Sequence, residues 1–161
     1  DSNVCHANVV PLCEVTIVAL NPYIFFPGNC REAIAFYQQT LGAEVLFSMT
    51  FAEMPPQESG EQQEGCAPAS MPPDAILHAT VRVGGSELMM SDGTSETVPA
   101  HHGYALSLSG HSLDEAKSWF EALSQDGRIT MPWQATFWTP GFGMLVDKFG
   151  IPWMVGVAHQ M

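Results

Sequence analysis

Apolar residues recur along residues 30–41 with the spacing of a helix, since Cys30, Ala33, Ile34, Tyr37 and Leu41 fall at i, i+3, i+4, i+7 and i+11. Asn29 is placed to cap this helix and Gly42 to end it. A second stripe, Leu113, Ala116, Phe120 and Leu123, predicts a helix from Leu113 to about Gln125. Ser112 and Glu115 have capping-box spacing at its start, and Gly127 stops it.

The two helices repeat one pattern. Glu32-Ala33-x-x-Phe36-Tyr37 matches Glu115-Ala116-x-x-Trp119-Phe120, and both aromatic pairs are offset by 83 positions. A repeat of half-domain length, built around one helix each time, implies two pseudo-equivalent modules that share a sheet or an interface. The flanking segments are rich in β-branched and aromatic residues and bounded by Gly, Pro or Asp, which predicts strands. They are Thr16–Phe26 before the first helix, then Glu44–Phe51, Ala75–Val83 and Glu87–Ser91 after it, the last two joined at Gly84-Gly85. The second copy runs Tyr104–Ser109, helix, Ile129–Trp138, Gly143–Asp147 and Pro152–Val157. The predicted fold class is α+β, with two tandem βαβββ modules forming a curved mixed sheet around a pocket.

Residues 1–14 belong to neither copy and read as a tail or an edge strand; 15–160 form a single domain, with module one over about 15–92 and module two over about 103–158. Met54–Asp74 and Asp92–His102 read as loops, the first long enough to act as a lid. A chain of 161 residues that is 46% apolar and only 14% charged has room for one core, with surface to spare for a second subunit.

Seventeen acidic and five basic residues leave a net charge of −12, and Arg31, Arg82, Lys117, Arg128 and Lys148 are scattered. No basic stripe is present to neutralise phosphates, so neither nucleic acid nor an anionic membrane is an expected partner. Cys5, Cys13, Cys30 and Cys66 lack any C-x-x-C pairing and read as free thiols. No apolar run approaches the roughly 20 residues that span a bilayer. The first twenty residues hold no Lys or Arg, and Asp1 in place of Met reads as a trimmed start, so cytoplasmic residence is the expectation.

Laid out this way, the sequence resembles the PhnB-like branch of the vicinal oxygen chelate (glyoxalase/bleomycin resistance/dioxygenase) superfamily. The likeness is carried by Asn21 to Phe26, Gly28 to Tyr37, Ile76-Leu77-His78-Ala79, Gly84 to Asp92, and Asp147 to Trp153. It implies a glyoxalase-like fold, and in the superfamily's enzymes a divalent ion acting as Lewis acid on vicinal oxygens, held by His, Glu or Gln from both modules. Carried onto this chain, those ligand positions fall on Asn21 or Tyr23, Met89, Tyr104 and Met154. Thioethers and neutral phenols are poor ligands for hard or borderline divalent ions. A shifted register brings in only Glu87 or Asp92, on one strand. The resemblance with these departures implies no cofactor, with a divalent metal as the alternative and His101 and His102 as its candidate ligands.

Strict alternation along the strands puts Tyr23, Phe25, Met49, Phe51, Met89, Tyr104, Leu106, Trp133, Trp138 and Met154 in an apolar aromatic pocket. His78, within the Leu-His-Ala motif, joins them as the candidate acid, base or hydrogen-bond donor if its ring points inward. His6, His111 and His159 carry no assignment. No G-x-S-x-G elbow, H-E-x-x-H, Walker loop or G-x-G-x-x-G occurs. A ubiquinone-pathway methyltransferase label sometimes attached to the PhnB-like branch finds no glycine-rich turn or open parallel sheet here. Three readings follow. The first is a homodimeric binding protein that holds a small organic molecule without metal, in the manner of bleomycin-resistance proteins. The second is a divalent-metal-dependent lyase, isomerase or dioxygenase-like enzyme. The third is an interaction module with a filled core.

Overall fold

The structure is a computed structural model that describes residues 19–54, 71–93 and 100–158. Module one consists of β1 (Tyr23–Phe25), α1 (Cys30–Leu41), β2 (Glu44–Thr50), β3 (Ile76–Val83) and β4 (Ser86–Ser91). Module two repeats the order with β5 (Leu106–Gly110), α2 (Leu113–Leu123), β6 (Arg128–Gln134), β7 (Phe142–Val146) and β8 (Pro152–Val157). The duplication read from the two helices is therefore a duplication of five elements. Each module forms its own four-stranded mixed sheet, ordered β1-β4-β3-β2 and β5-β8-β7-β6, with the first and last strands of the module parallel.

Alternation explains the layering. In module one Ile24, Ala79, Val81, Leu88 and Met90 are buried together with Ala33, Ile34 and Tyr37 of α1, whereas Tyr23, Phe25 and Phe47 are exposed on the sheet's other face. In module two Leu145, Trp153 and Val155 are buried together with Ala116, Phe120 and Leu123 of α2. Gly143 lets β7 lie against α2, because a Cβ there would meet the Phe120 ring at 2.5 Å. Gly42 ends α1 in the left-handed region at φ 65°, donating its N–H to Gln38 O.

The modules are joined through a buried carboxylate. Asp147, in the turn between β7 and β8, accepts from the backbone of Phe149 and Ile151 at Oδ1, and from Tyr37 Oη (2.6 Å) and Trp153 Nε1 (2.9 Å) at Oδ2. Tyr37 lies on α1, so the turn of one module is tied to the helix of the other. Phe149 packs edge-on against Phe26, Phe36 and Tyr37, and Lys148 Nζ sits 4.6 Å from the Phe36 ring centroid. Burial, with Asp147 second, pushes the Tyr37 phenol well up, so it stays an O–H donor.

Several local expectations are corrected. Asn29 makes no side-chain capping bond; Asp92, at the end of β4, caps α1 instead, with Oδ1 accepting from Cys30 N at 2.8 Å and Oδ2 from Ile76 N at 2.7 Å. The same carboxylate is fully buried beside Cys30, and burial first, then Asp92, pushes that thiol far up, keeping it protonated and inert. At α2 Ser112 accepts from Glu115 N as expected, but Glu115 Oε2 accepts from His111 N rather than Ser112 N. The helix ends at Leu123, short of Gln125, and Leu113 is exposed rather than part of the buried stripe.

Strand bounds shift as well. β1 begins at Tyr23, not Thr16, and residues 16–18 lie outside the described ones, as do residues 1–14 and most of the 54–74 loop. β2 stops at Thr50 because a 3₁₀ turn, Phe51–Glu53, follows, in which Glu53 accepts from Thr50 N and Thr50 Oγ1. β6 ends at Gln134, since Thr136 N donates to Thr139 O and turns the chain before Trp138. The described strands form two four-stranded mixed sheets, one per module, as the expected α+β fold of tandem βαβββ modules requires.

Candidate functional site

On the face of module one's sheet that points away from α1, register places chemistry-bearing side chains side by side. Tyr23 of β1 is opposite Met89 of β4, Met89 is opposite Thr80 of β3, and His78 of β3 is opposite Met49 of β2. His78 is hydrogen-bonded on both ring nitrogens, with Tyr23 Oη 3.0 Å from Nδ1 and Thr80 Oγ1 3.2 Å from Nε2. The Tyr23 ring lies 5.0 Å from Phe25 and 5.5 Å from His78, and Phe47 adds a third aromatic ring 6.0 Å from His78. Tyr23 is 41% and Phe25 49% exposed, so this aromatic surface is open to a ligand.

A cavity of about 450 Å³ lies between that surface and the segment entering module two. Pro22, Tyr23, Ile24 and Phe25 form one side, and Ala100, His101, His102, Tyr104 and Leu106 the other. A second tyrosine–histidine pair stands on that other side, with Tyr104 Oη 2.8 Å from His101 Nδ1. Burial, then the Asp147 charge, raises the Tyr104 phenol, which holds it as a neutral hydrogen-bonding group. The cavity size falls within the range of small-molecule sites, and its lining is largely apolar with a few convergent polar groups, as such sites are built.

The residues expected in the pocket distribute unevenly. Tyr23, Phe25, Tyr104, Leu106, His101 and His102 line the cavity, while His78, Met49 and Met89 stand on the adjoining sheet face. Tyr104 precedes β5 rather than opening it. Phe51 has left the sheet for the 3₁₀ turn. Trp133 turns toward α2, with its ring 5.5 Å from Phe120, because register shifts around Pro132 break the alternation of β6. Trp138 sits in the β6–β7 loop, stacked edge-on against Phe137 and Phe142. Met154 of β8 is opposite Met144 and Ser107, on the corresponding face of module two. Pro22 and Ile24 belong to the stretch that carries the family likeness but were not placed in the pocket, and Thr80 was not singled out; for Thr80 the signal was its i+2 spacing from His78.

The sequence profile of the Glyoxalase/Bleomycin resistance protein/Dioxygenase superfamily matches residues 19–155. The chain belongs to that superfamily. Protein YjdN of Escherichia coli (strain K12) is 46% identical to it over 142 residues, which cover 88% of this chain and 96% of that protein. Among solved structures, protein PA1353 from Pseudomonas aeruginosa superposes with a TM-score of 0.74 at 34% identity, covering 89% of this chain and all of that one (100%). A PhnB protein from Bacillus cereus shares the fold at a TM-score of 0.66 and 24% identity, covering 86% and 98% of the two chains.

The metal that the superfamily's enzymes carry can be tested against the side chains present. The parallel strand pairs offer Tyr23 opposite Met89 in module one and, in place of the expected Tyr104, which precedes β5, Ser107 opposite Met154 in module two. These are two neutral hydroxyls and two thioethers, a donor set that does not fit a hard or borderline divalent ion. Among the described residues no group of three or more His, Cys, Asp or Glu could hold a metal, so His101 and His102 lack a third ligand there. Asp92 is fully buried and bonded to two backbone amides, so the shifted register brings in only Glu87, half-exposed beside Arg82 and on one strand. No described helix is long and apolar enough to cross a membrane.

Proposed function

We propose that this superfamily member is a binding protein that holds a small organic molecule, without metal, against the aromatic surface formed by Tyr23, Phe25 and Tyr104. The single observation that carries the reading is the pairing of Tyr23 with Met89 and of Ser107 with Met154, soft or neutral side chains at the strand positions where a metal-dependent relative needs hard donors. The cavity beside them is open, largely apolar and rimmed by tyrosine and histidine hydrogen-bonding groups, which suits sequestration or carriage. We propose further that the protein is a homodimer, because Leu46, Phe47, Ile129, Phe137 and Trp138 leave large apolar surface exposed.

A thermal-shift screen against aromatic antibiotics, catechols and hydroxy acids, run in excess EDTA, tests the binding. A ligand present at a hundred times its Kd stabilises the native state by ~2.7 kcal/mol, or roughly 5–10 °C for a domain of this size. The expected result is at least one such shift that survives EDTA and is lost in Phe25→Ala. Shifts that appear only when divalent ions are restored would instead mark the metal-dependent lyase, isomerase or dioxygenase-like alternative.

A further inference from the structure

Two tyrosine–histidine pairs, one in module one and one in the segment entering module two, stand at the same cavity: Tyr23 with His78 and Tyr104 with His101. A phenol offers one donor and one acceptor function. The imidazole Nδ1 engages one of them, and the other is left for a ligand atom. Thr80 on Nε2 of His78 fixes the far side of the first pair. Each pair thus presents one oriented hydroxyl.

The charge of the expected ligand follows from what the wall lacks. Among the described residues no Lys, Arg, Asp or Glu lines the cavity, and the chain as a whole carries −12. A carboxylate or phosphate entering it would shed water with no lysine or arginine among the described lining residues to meet it, inside a negative field. An ammonium would equally lose water, with no carboxylate among the described lining residues to pair with. The half-exposed Tyr23 and Phe25 rings, 5.0 Å apart and tilted by 36°, offer a surface on which a flat ring can lie.

From this geometry we infer that the site selects an uncharged, flat aromatic molecule bearing two hydroxyl or carbonyl oxygens, one for the Tyr23 phenol and one for the Tyr104 phenol. The inference rests on the binding-protein reading above and adds the ligand class to it.

Three bicyclic probes of one shape separate the terms: naphthalene-2,6-diol, naphthalene, and naphthalene-2,6-dicarboxylate, each titrated calorimetrically into the full chain at pH 7.5. The diol is expected to bind tightest. Tyr23→Phe and Tyr104→Phe each weaken it roughly three- to tenfold, the gain expected of one hydrogen bond, while leaving naphthalene unchanged. Both variants keep the aromatic ring, and their melting temperatures check the fold. Equal binding of diol and naphthalene would overturn the inference while leaving a shape-selective pocket. Tightest binding of the dicarboxylate would overturn its charge argument in the same way. If none of the three binds but the wider screen finds an EDTA-resistant ligand, the ligand class is wrong and the binding function stands; if neither yields binding, both fall.

Discussion

Asp147→Asn lowers the melting temperature by roughly 6–12 °C, corresponding to ~3 kcal/mol for a domain of this size. The side chain is 3% exposed, and its two oxygens accept from four donors: Phe149 N, Ile151 N, Tyr37 Oη and Trp153 Nε1. All four donors are neutral, so the charge is held by directed hydrogen bonds alone, and bonds to an ionised acceptor are the stronger kind. An amide of the same shape replaces one oxygen by an NH₂ that can only donate. The NH₂ then faces either the two backbone amides of Phe149 and Ile151, or Trp153 Nε1 with the Tyr37 phenol forced to turn and accept. Since Tyr37 belongs to module one and the other three donors to module two, the loss falls on the junction between them. Tyr37→Phe, which removes a single bond, costs less than Asp147→Asn. Thermal melts followed by circular dichroism measure both, and a shift under about 2 °C for Asp147→Asn would deny the carboxylate its joining role.

Asp92→Ala is the second large effect, at ~2–4 kcal/mol, read as a lower urea midpoint with an unchanged slope. The carboxylate is fully buried and serves two orphan amides at once, Cys30 N at the start of α1 and Ile76 N at the start of β3. Loss of a helix cap alone costs ~0.5–2 kcal/mol. The stranded Ile76 amide adds the cost of an unpaired buried donor. The first turn of α1 would fray with it, so the Cys30 amide should exchange faster in the variant. A cost below ~0.5 kcal/mol would mean that Asn29, whose buried Oδ1 has no hydrogen-bond partner, can take over the cap.

These two aspartates also mark where the sequence stops being legible. Both helices were readable because their signals are local: an apolar stripe with a 3.6-residue period, a glycine at Gly42, a serine at Ser112. The identity of the α1 cap was not, because Asp92 lies 62 residues beyond Cys30 and reaches it only once β4 has paired with β1 and β3. Asn29 carried the right local chemistry in the right place and was displaced by tertiary structure. The strand edges show the same division. Phe137 and Trp138 have high β propensity, but Phe137 is 97% exposed in a loop, because the Thr136–Thr139 turn ends β6 first.

The site was legible as far as alternation held. Tyr23, Phe25, His78 and Met89 share a face because β1, β3 and β4 pair there without a slip. Trp133 left the predicted surface where Pro132, on an edge strand, coincides with a change of register. The first tyrosine–histidine pair was out of reach of any spacing rule, since Tyr23 and His78 are 55 residues apart and meet across the intervening β4, whereas Tyr104 and His101 are three residues apart.

The metal content of the purified chain tests the central claim most directly. Protein equilibrated with equimolar Mn²⁺, Fe²⁺, Ni²⁺ and Zn²⁺, then passed through a desalting column, should retain less than about a tenth of an equivalent of any ion by mass spectrometry, since its paired strands present hydroxyls and thioethers. One tightly held equivalent, lost on replacing Tyr23 or His101, would contradict the account.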